Sequence, residues 1–241
     1  MKDMDIAITF RKYLENYKII LSLSVLFLFL LFLINPIFSV FGGNLNISYN
    51  ILDQAPGDII LTIISCLVII FVYSLIQTVL IYRIGSDYKI SDRVQARDIK
   101  SHFVKLTKFN WIFFLLVYGV SVVLYSLFLL NNVFMSLIFL VIALLLWFVP
   151  QVIIMEKESI GASIIISAKY WKRNWFFMIS LFVAAFLLMF LTYVIEIALG
   201  NVVGPIVSLF LFVIFIIPYI EILKTEVYLN KYRLLKPRNQ L

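Results

Sequence analysis

The sequence predicts an all-α polytopic membrane protein. Its six transmembrane helices form three units, each an amphipathic helix followed by a helical hairpin. Three observations predict this. Of the 241 residues, 63% are hydrophobic and only 14% are charged, where soluble domains sit near ~45–50% and ~25%. Six apolar runs are long enough to cross a hydrocarbon core, which takes about 20 residues of helix. All 20 Lys and Arg fall on one side of the bilayer if those six runs all cross it. A soluble globular domain and a disordered chain are excluded. The 8 Gly and 6 Pro are few, which favours unbroken helices over a barrel.

The runs cover residues 19–41, 59–82, 111–130, 133–155, 175–199 and 206–223. Inside lipid each must satisfy its own backbone hydrogen bonds, hence helix. Asn35-Pro36 is expected to bend or end the first run, since proline lacks a backbone donor. Only Asn131-Asn132 separates the third from the fourth, which predicts a tight hairpin. Gly200 to Gly204 is expected to be the turn before the sixth, with Pro205 opening it. The first run exceeds the ~7–15-residue core of a signal peptide and no Ala-x-Ala site follows, so it is expected to remain as a span.

Charge sets the expected orientation. Cations precede the first run (Lys2 to Lys18) and lie between the second and third (Arg83 to Lys108). More lie between the fourth and fifth (Lys157 to Arg173) and after the sixth (Lys224 to Arg238). The opposite side carries Asp53, Asp58 and Glu196 and no cation. Lys and Arg resist translocation, so both termini are expected in the cytoplasm of a cell-membrane protein. Trp111, Trp147, Trp171 and Trp175 fall at the same ends, where amphipathic rings anchor at headgroup level.

An internal repeat follows from self-similarity. Residues 7–23, 100–116 and 164–180 each read as a basic amphipathic segment, an Asn-aromatic pair, then a span. The pairs are Asn16-Tyr17, Asn110-Trp111 and Asn174-Trp175. Residues 148–158 and 216–226 both place a proline near the inner end of a span, and 75–85 echoes them with Ile76 in the proline's place. The expected units run 3–85, 89–157 and 159–226, in a single domain of 1–241 with a short basic tail at 227–241.

The segments before the odd-numbered spans suit helices lying in the interface. Ile6, Phe10, Tyr13, Leu14 and Tyr17 line one face of the first, with Asp5 as candidate cap. Ile99, Phe103, Leu106 and Asn110 line the second, and Ile160, Ile164, Ala168 and Trp171 the third. Their cations are the candidate lipid-phosphate contacts: Arg11, Lys12, Lys18, Arg97, Lys100, Lys105, Lys108, Lys169, Lys172 and Arg173. Each is worth about 1 kcal/mol beside an anionic leaflet.

Polar residues within the spans are few. Gln77 and Gln151 occupy equivalent repeat positions, with Tyr219 as the third. Such groups bond across helices or line a pathway. Glu221, three residues after Pro218, and Glu196, near the outer end of the fifth run, complete the candidate set. Tyr73, Tyr118, Ser121, Tyr125, Thr192 and Tyr193 add scattered hydroxyls. His102 is the single histidine and is expected on a solvated, Lys-rich surface; Cys66 is the single cysteine, so no internal disulfide forms. No H-E-x-x-H, G-x-S-x-G, P-loop or Rossmann pattern occurs. No catalytic residue, metal site or cofactor is expected, and the positive-inside rule accounts for the basic charge without nucleic acid. Asn46-Ile47-Ser48 is a glycosylation-type triplet in the outer loop.

Residues 147–182 carry a family likeness. A span ends in Pro150, Glu156 and Glu158 form an acidic patch, a small-residue helix covers Ser163 to Ser167, and Lys172, Asn174 and an aromatic follow. This resembles uncharacterised six-span prokaryotic membrane proteins and, through them, the membrane domain attached to some glycerophosphoryl diester phosphodiesterases. The likeness covers about residues 5–230 and implies architecture and a membrane-scaffold role. It does not imply hydrolysis, because the soluble barrel is absent and one His cannot supply its acid-base pair.

The expected function is a non-enzymatic membrane module that binds anionic inner-leaflet lipid, or a membrane or cytoplasmic protein partner, through its basic face. The alternative is a small permease or channel with its pathway between the hairpins, lined by Gln77, Gln151, Tyr219 and Glu221.

Overall fold

The computed structural model describes residues 6–34, 39–41, 44–46, 56–87, 96–128 and 140–235. Helix α1 (Ile6–Glu15) leads into α2 (Tyr17–Ile34). Helices α3 (Pro56–Asp87) and α4 (Ala96–Phe128) follow. Next come the shorter apolar helix α5 (Leu140–Met155), α6 (Ile160–Arg173) and α7 (Trp175–Leu211). A π-helical turn, Phe212–Ile216, joins α7 to α8 (Ile217–Leu235). The described residues are helical save for one departure from the all-α expectation: Ser39–Phe41 pairs antiparallel with Asn44–Asn46.

Four helical stretches are long and apolar enough to cross a membrane: Ile63–Gly85, Ile99–Val120, Met178–Gly200 and Val203–Leu229. The pair α1 and α2, bent by 74°, makes a fifth if it counts as one span. The fourth expected run enters as α5, and residues 133–139 of it lie outside the described residues, as do Asp5, Asn35-Pro36 and the Asn131-Asn132 turn.

The α1–α2 elbow has a local cause. Asn16 donates its side-chain amide to the Lys12 carbonyl at 2.9 Å, while its backbone N–H is shared between Lys12 and Tyr13 at 3.2 Å. A short polar side chain that bonds the preceding turn competes with helix continuation. Asn174 does the same between α6 and α7, donating its amide to the Tyr170 carbonyl at 3.0 Å and its N–H to Tyr170 and Trp171. Seven positions before each Asn sits a buried hydroxyl, Thr9 or Ser167. Asn110 departs from the pair, because α4 runs straight through it.

The chain reverses at Gly200, whose φ of 78° and ψ of 175° suit glycine alone. A Cβ on Gly204 would collide with the backbone carbonyl of Glu196, so the two arms of α7 touch backbone to backbone. Helices α3, α5 and α8 form the centre. Ile69, Val72, Ile76 and Leu80 of α3 pack on Ile20, Phe27 and Leu28 of α2 and on Ile222 and Leu229 of α8. Phe148 and Val152 of α5 pack on Leu223 and Val227 of α8, and Val149 and Ile153 on Leu106 and Phe109 of α4.

Helices α1 and α6 turn small or polar faces to the protein. Ser163 and Ser167 of α6 are fully buried, and Ser167 Oγ donates to the Leu145 carbonyl at 2.7 Å. Ile164 and Ile165 point outward, the latter 56% exposed. Phe148, Tyr170 and Tyr228 form a mutually contacting aromatic trio, and the Tyr228 hydroxyl donates to Glu156 Oε1. Burial pushes the Tyr170 hydroxyl pKa up. His102 departs from its expected solvated place. It shares a buried stripe with Leu106 and Phe109 at helical spacing, while Lys100 and Lys108 face outward.

Pro218 cannot donate to the carbonyls one turn back, Val213 and Ile214. Ser24 Oγ donates to Val213 O at 3.1 Å and Tyr13 OH to Ile214 O at 3.0 Å. The first helices thus satisfy the backbone that the proline orphans. Tyr13→Phe should lower stability by about 1–3 kcal/mol, the usual cost of a buried unsatisfied carbonyl. In a Pro218→Ala background, which restores an N–H, the same change should cost clearly less. Unfolding midpoints of the four proteins in detergent measure both.

Candidate functional site

The polar residues inside the bundle converge on Glu221. Gln77 of α3 lies three residues after Ser74 and four after Tyr73, so it shares a face with each. Glu221 and Lys224 share a face of α8 for the same reason. Glu221 Oε1 accepts from Tyr73 OH at 3.0 Å, Gln77 Nε2 at 3.0 Å and Lys224 Nζ at 2.9 Å. Oε2 accepts a long bond from Gln151 Nε2 at 3.4 Å. Asn110 of α4 donates to Gln77 Oε1 at 3.1 Å and Ser74 Oγ at 2.8 Å. Three helices therefore meet at one carboxylate, and Gln77 and Ser74 tie in the fourth.

Burial makes this arrangement expensive to leave incomplete. The side chains of Glu221 and Lys224 are only 3% and 4% exposed. Desolvating two charges costs several kcal/mol each, and their attraction repays it only when the remaining donors and acceptors are filled. Here the carboxylate is filled. Gln151 is fully buried, and its Oε1 has no hydrogen-bond partner among the described residues.

The network forms one wall of a partly open cleft of about 450 Å³. Tyr73, Gln77, Asn110, Glu221 and Lys224 are its polar wall. Phe109, Phe113, Leu146, Trp147, Met189 and Phe212 supply most of the apolar remainder. Ligand sites commonly combine this size, an apolar lining and a few convergent polar groups. The π-helical turn contributes Phe212 and Ile216 to the lining, and such turns recur at functional sites.

Of the sequence-derived candidates, Gln77, Gln151 and Glu221 come together. Tyr219 does not join them: two residues from Glu221 is a rotation of about 200° on a helix. It stacks instead on Phe215 at 5.4 Å in the Phe148 cluster. Glu196 lies at the Gly200 hairpin and accepts from Ser208 Oγ at 3.0 Å. Lys224, placed by sequence among surface cations beyond the last span, is inside the protein. The expected tail from residue 227 begins as helix, and α8 stays buried through Leu229. Asn110 and Tyr73 were legible only as repeat and packing residues.

Among the candidate lipid contacts, Arg11 is exposed and bonds Glu15 at 2.9 Å, and Lys12 lies 3.5 Å from the same carboxylate. Lys18 sits 6.0 Å from the Tyr17 ring centroid. Lys100, Lys108, Lys169, Lys172 and Arg173 are exposed, Lys105 is half-buried, and the Arg97 side chain lies outside the described residues. Among the described residues no group of His, Cys, Asp and Glu could hold a metal ion.

No protein-family model matches the chain, and comparison with curated proteins and with solved structures returns no match. The site therefore stands on its own geometry.

Lys224→Met leaves the Glu221 carboxylate buried without its countercharge and should cost about 3–5 kcal/mol. Lys224→Met with Glu221→Leu should recover most of that loss. Denaturant midpoints of the purified single and double variants are the check.

Proposed function

We propose that this chain is a small permease-type membrane protein whose ligand enters the cleft and meets the Glu221–Lys224 wall. The supporting observation is the buried ion pair facing a cleft of about 450 Å³. An ionisable pair inside a membrane bundle marks a substrate or ion pathway by default, because packing alone is served better by apolar residues. The π-helical turn beside the cleft and the glycine reversal at Gly200 give the last helices two places to flex.

The topology that belongs to this reading is six spans in three hairpin units, both termini cytoplasmic, in the cell membrane. The matching Asn16 and Asn174 elbows support the repeat. The one-sided distribution of all 20 cations supports the orientation. The likeness to the phosphodiesterase-attached membrane domain is kept for architecture alone.

A second reading, binding of anionic lipid through the basic face, rests on α1 and α6. Each sets exposed apolar side chains beside exposed cations: Phe10 and Leu14 near Arg11, and Ile164 and Ile165 near Lys169 and Lys172. That pattern suits an interfacial helix. It also serves a permease anchored at the inner leaflet, and the buried pair supports the first reading. On either, the protein acts without a catalytic residue, metal or cofactor of its own, and nucleic acid is not a partner.

With Cys66→Ser as background, Asn110→Cys tests the pathway. Its thiol should react with a water-soluble methanethiosulfonate added to inside-out vesicles, and far more slowly in right-side-out vesicles. Ile153→Cys, buried away from the cleft, gives the sealed reference. Reaction of Asn110→Cys as slow as that reference on both sides would contradict the pathway.

A further inference from the structure

We infer that the cleft takes a lipid-like amphiphile with an acidic head oxygen, phosphate or carboxylate, seated at Lys224. The inference rests on the ligand reading above and names the ligand's chemistry.

Hydrogen-bond capacity at the polar wall selects the head. Glu221 Oε1 already accepts three bonds, and Oε2 takes its one long bond from Gln151, which does not line the cleft. Gln77 Nε2 is occupied by Tyr73 OH and Glu221, and Asn110 Nδ2 by Ser74 and Gln77. An ammonium has three N–H donors, and the Glu221 bond uses one of those on Lys224. Among the described residues lining the cleft Lys224 is the only cation, and its Glu221 bond leaves donors unused. Lys224 suits an anionic oxygen, since charge-assisted bonds are about twice as strong as neutral ones.

Shape and lining select the tail. Away from Lys224 the cleft wall is Phe109, Phe113, Leu146, Trp147 and Met189. A fully hydrated solute would leave those surfaces unmatched, whereas an acyl chain buries them. The cleft is partly open, and the surrounding helices carry outward apolar side chains such as Phe186 and Phe190. A chain can therefore enter from the hydrocarbon while its head stays on the polar wall.

Trp147 lies in the cleft and reports occupancy. A protein with Trp111→Phe, Trp171→Phe and Trp175→Phe keeps Trp147 as its sole tryptophan. In detergent it should show saturable quenching on titration with tail-dibrominated phosphatidylglycerol or dibrominated fatty acid. The arm that saturates at lower concentration identifies phosphate or carboxylate as the preferred head. Lys224→Gln should weaken that titration about tenfold, the loss expected for a charge-assisted bond. Ala185→Phe, which fills the cleft from its wall, should abolish the saturable part. Native mass spectrometry of the four-tryptophan protein provides a check independent of the substitutions, with co-purified lipid retained and lost in Lys224→Gln. Quenching unchanged by both cleft variants would mean bulk lipid contact and would overturn the amphiphile. If Asn110→Cys still reacts from the inner side in that case, the pathway reading survives with a water-soluble ligand; if it does not, both fall.

Discussion

A buried carboxylate organises the centre of this protein. Glu221 cannot stay charged inside the bundle unless its oxygens are filled, and the donors that fill them come from α3, α5 and α8 itself. Asn110 extends the same network to α4. The relative placement of four helices is therefore tied to one group. Apolar packing around it is less selective: Leu, Ile and Phe surfaces can slide by a residue at modest cost, and lipid tails compete with them as partners. Hydrogen-bond geometry cannot slide in that way.

The same economy governs the backbone. Pro218 leaves carbonyls without donors, and hydroxyls from α1 and α2 reach across to take them. Gly200 and Gly204 allow the two arms of α7 to touch through main chain. Ser167 bonds the Leu145 carbonyl at the irregular turn of α5. At Pro218 and at the α5 turn a helix is interrupted, and the freed carbonyl is met by a side chain from another element. That is the condition for broken helices inside a membrane protein. These interruptions cluster around the cleft: the π-helical turn and Pro150 both border it.

The sequence exposes the fold class and much of the site, for identifiable reasons. Hydrophobic runs are properties of single segments, so the apolar helices can be read directly. Gln77, Gln151 and Glu221 stand out because an amide or carboxylate is rare in such runs. The partners do not stand out. Lys224 follows an apolar stretch, and a lysine there ordinarily marks the membrane surface; only the packing of α8 on α3 and α5 puts it inside. Repeat register points to Tyr219, but a register of spans does not fix which face of a bent helix turns inward, and Glu221 holds the inner face instead. The Lys neighbours of His102 suggest a surface, although residues 102, 106 and 109 share one buried helical face. The faces of α1 and α6 were legible as amphipathic, but that serines and a threonine would be the protein-facing residues depends on how closely the neighbouring helices approach.

The most direct measurement of the central claim is the coupling between Gln77 and Glu221. Stabilities of the wild type, Gln77→Leu, Glu221→Gln and the double variant form a cycle that isolates their interaction. The Glu221 network predicts a coupling of at least about 1 kcal/mol, as expected for a buried bond to a charged acceptor. Effects that add to within ~0.5 kcal/mol would contradict it, and would mean that the helices are held by apolar contact with the carboxylate as a passenger.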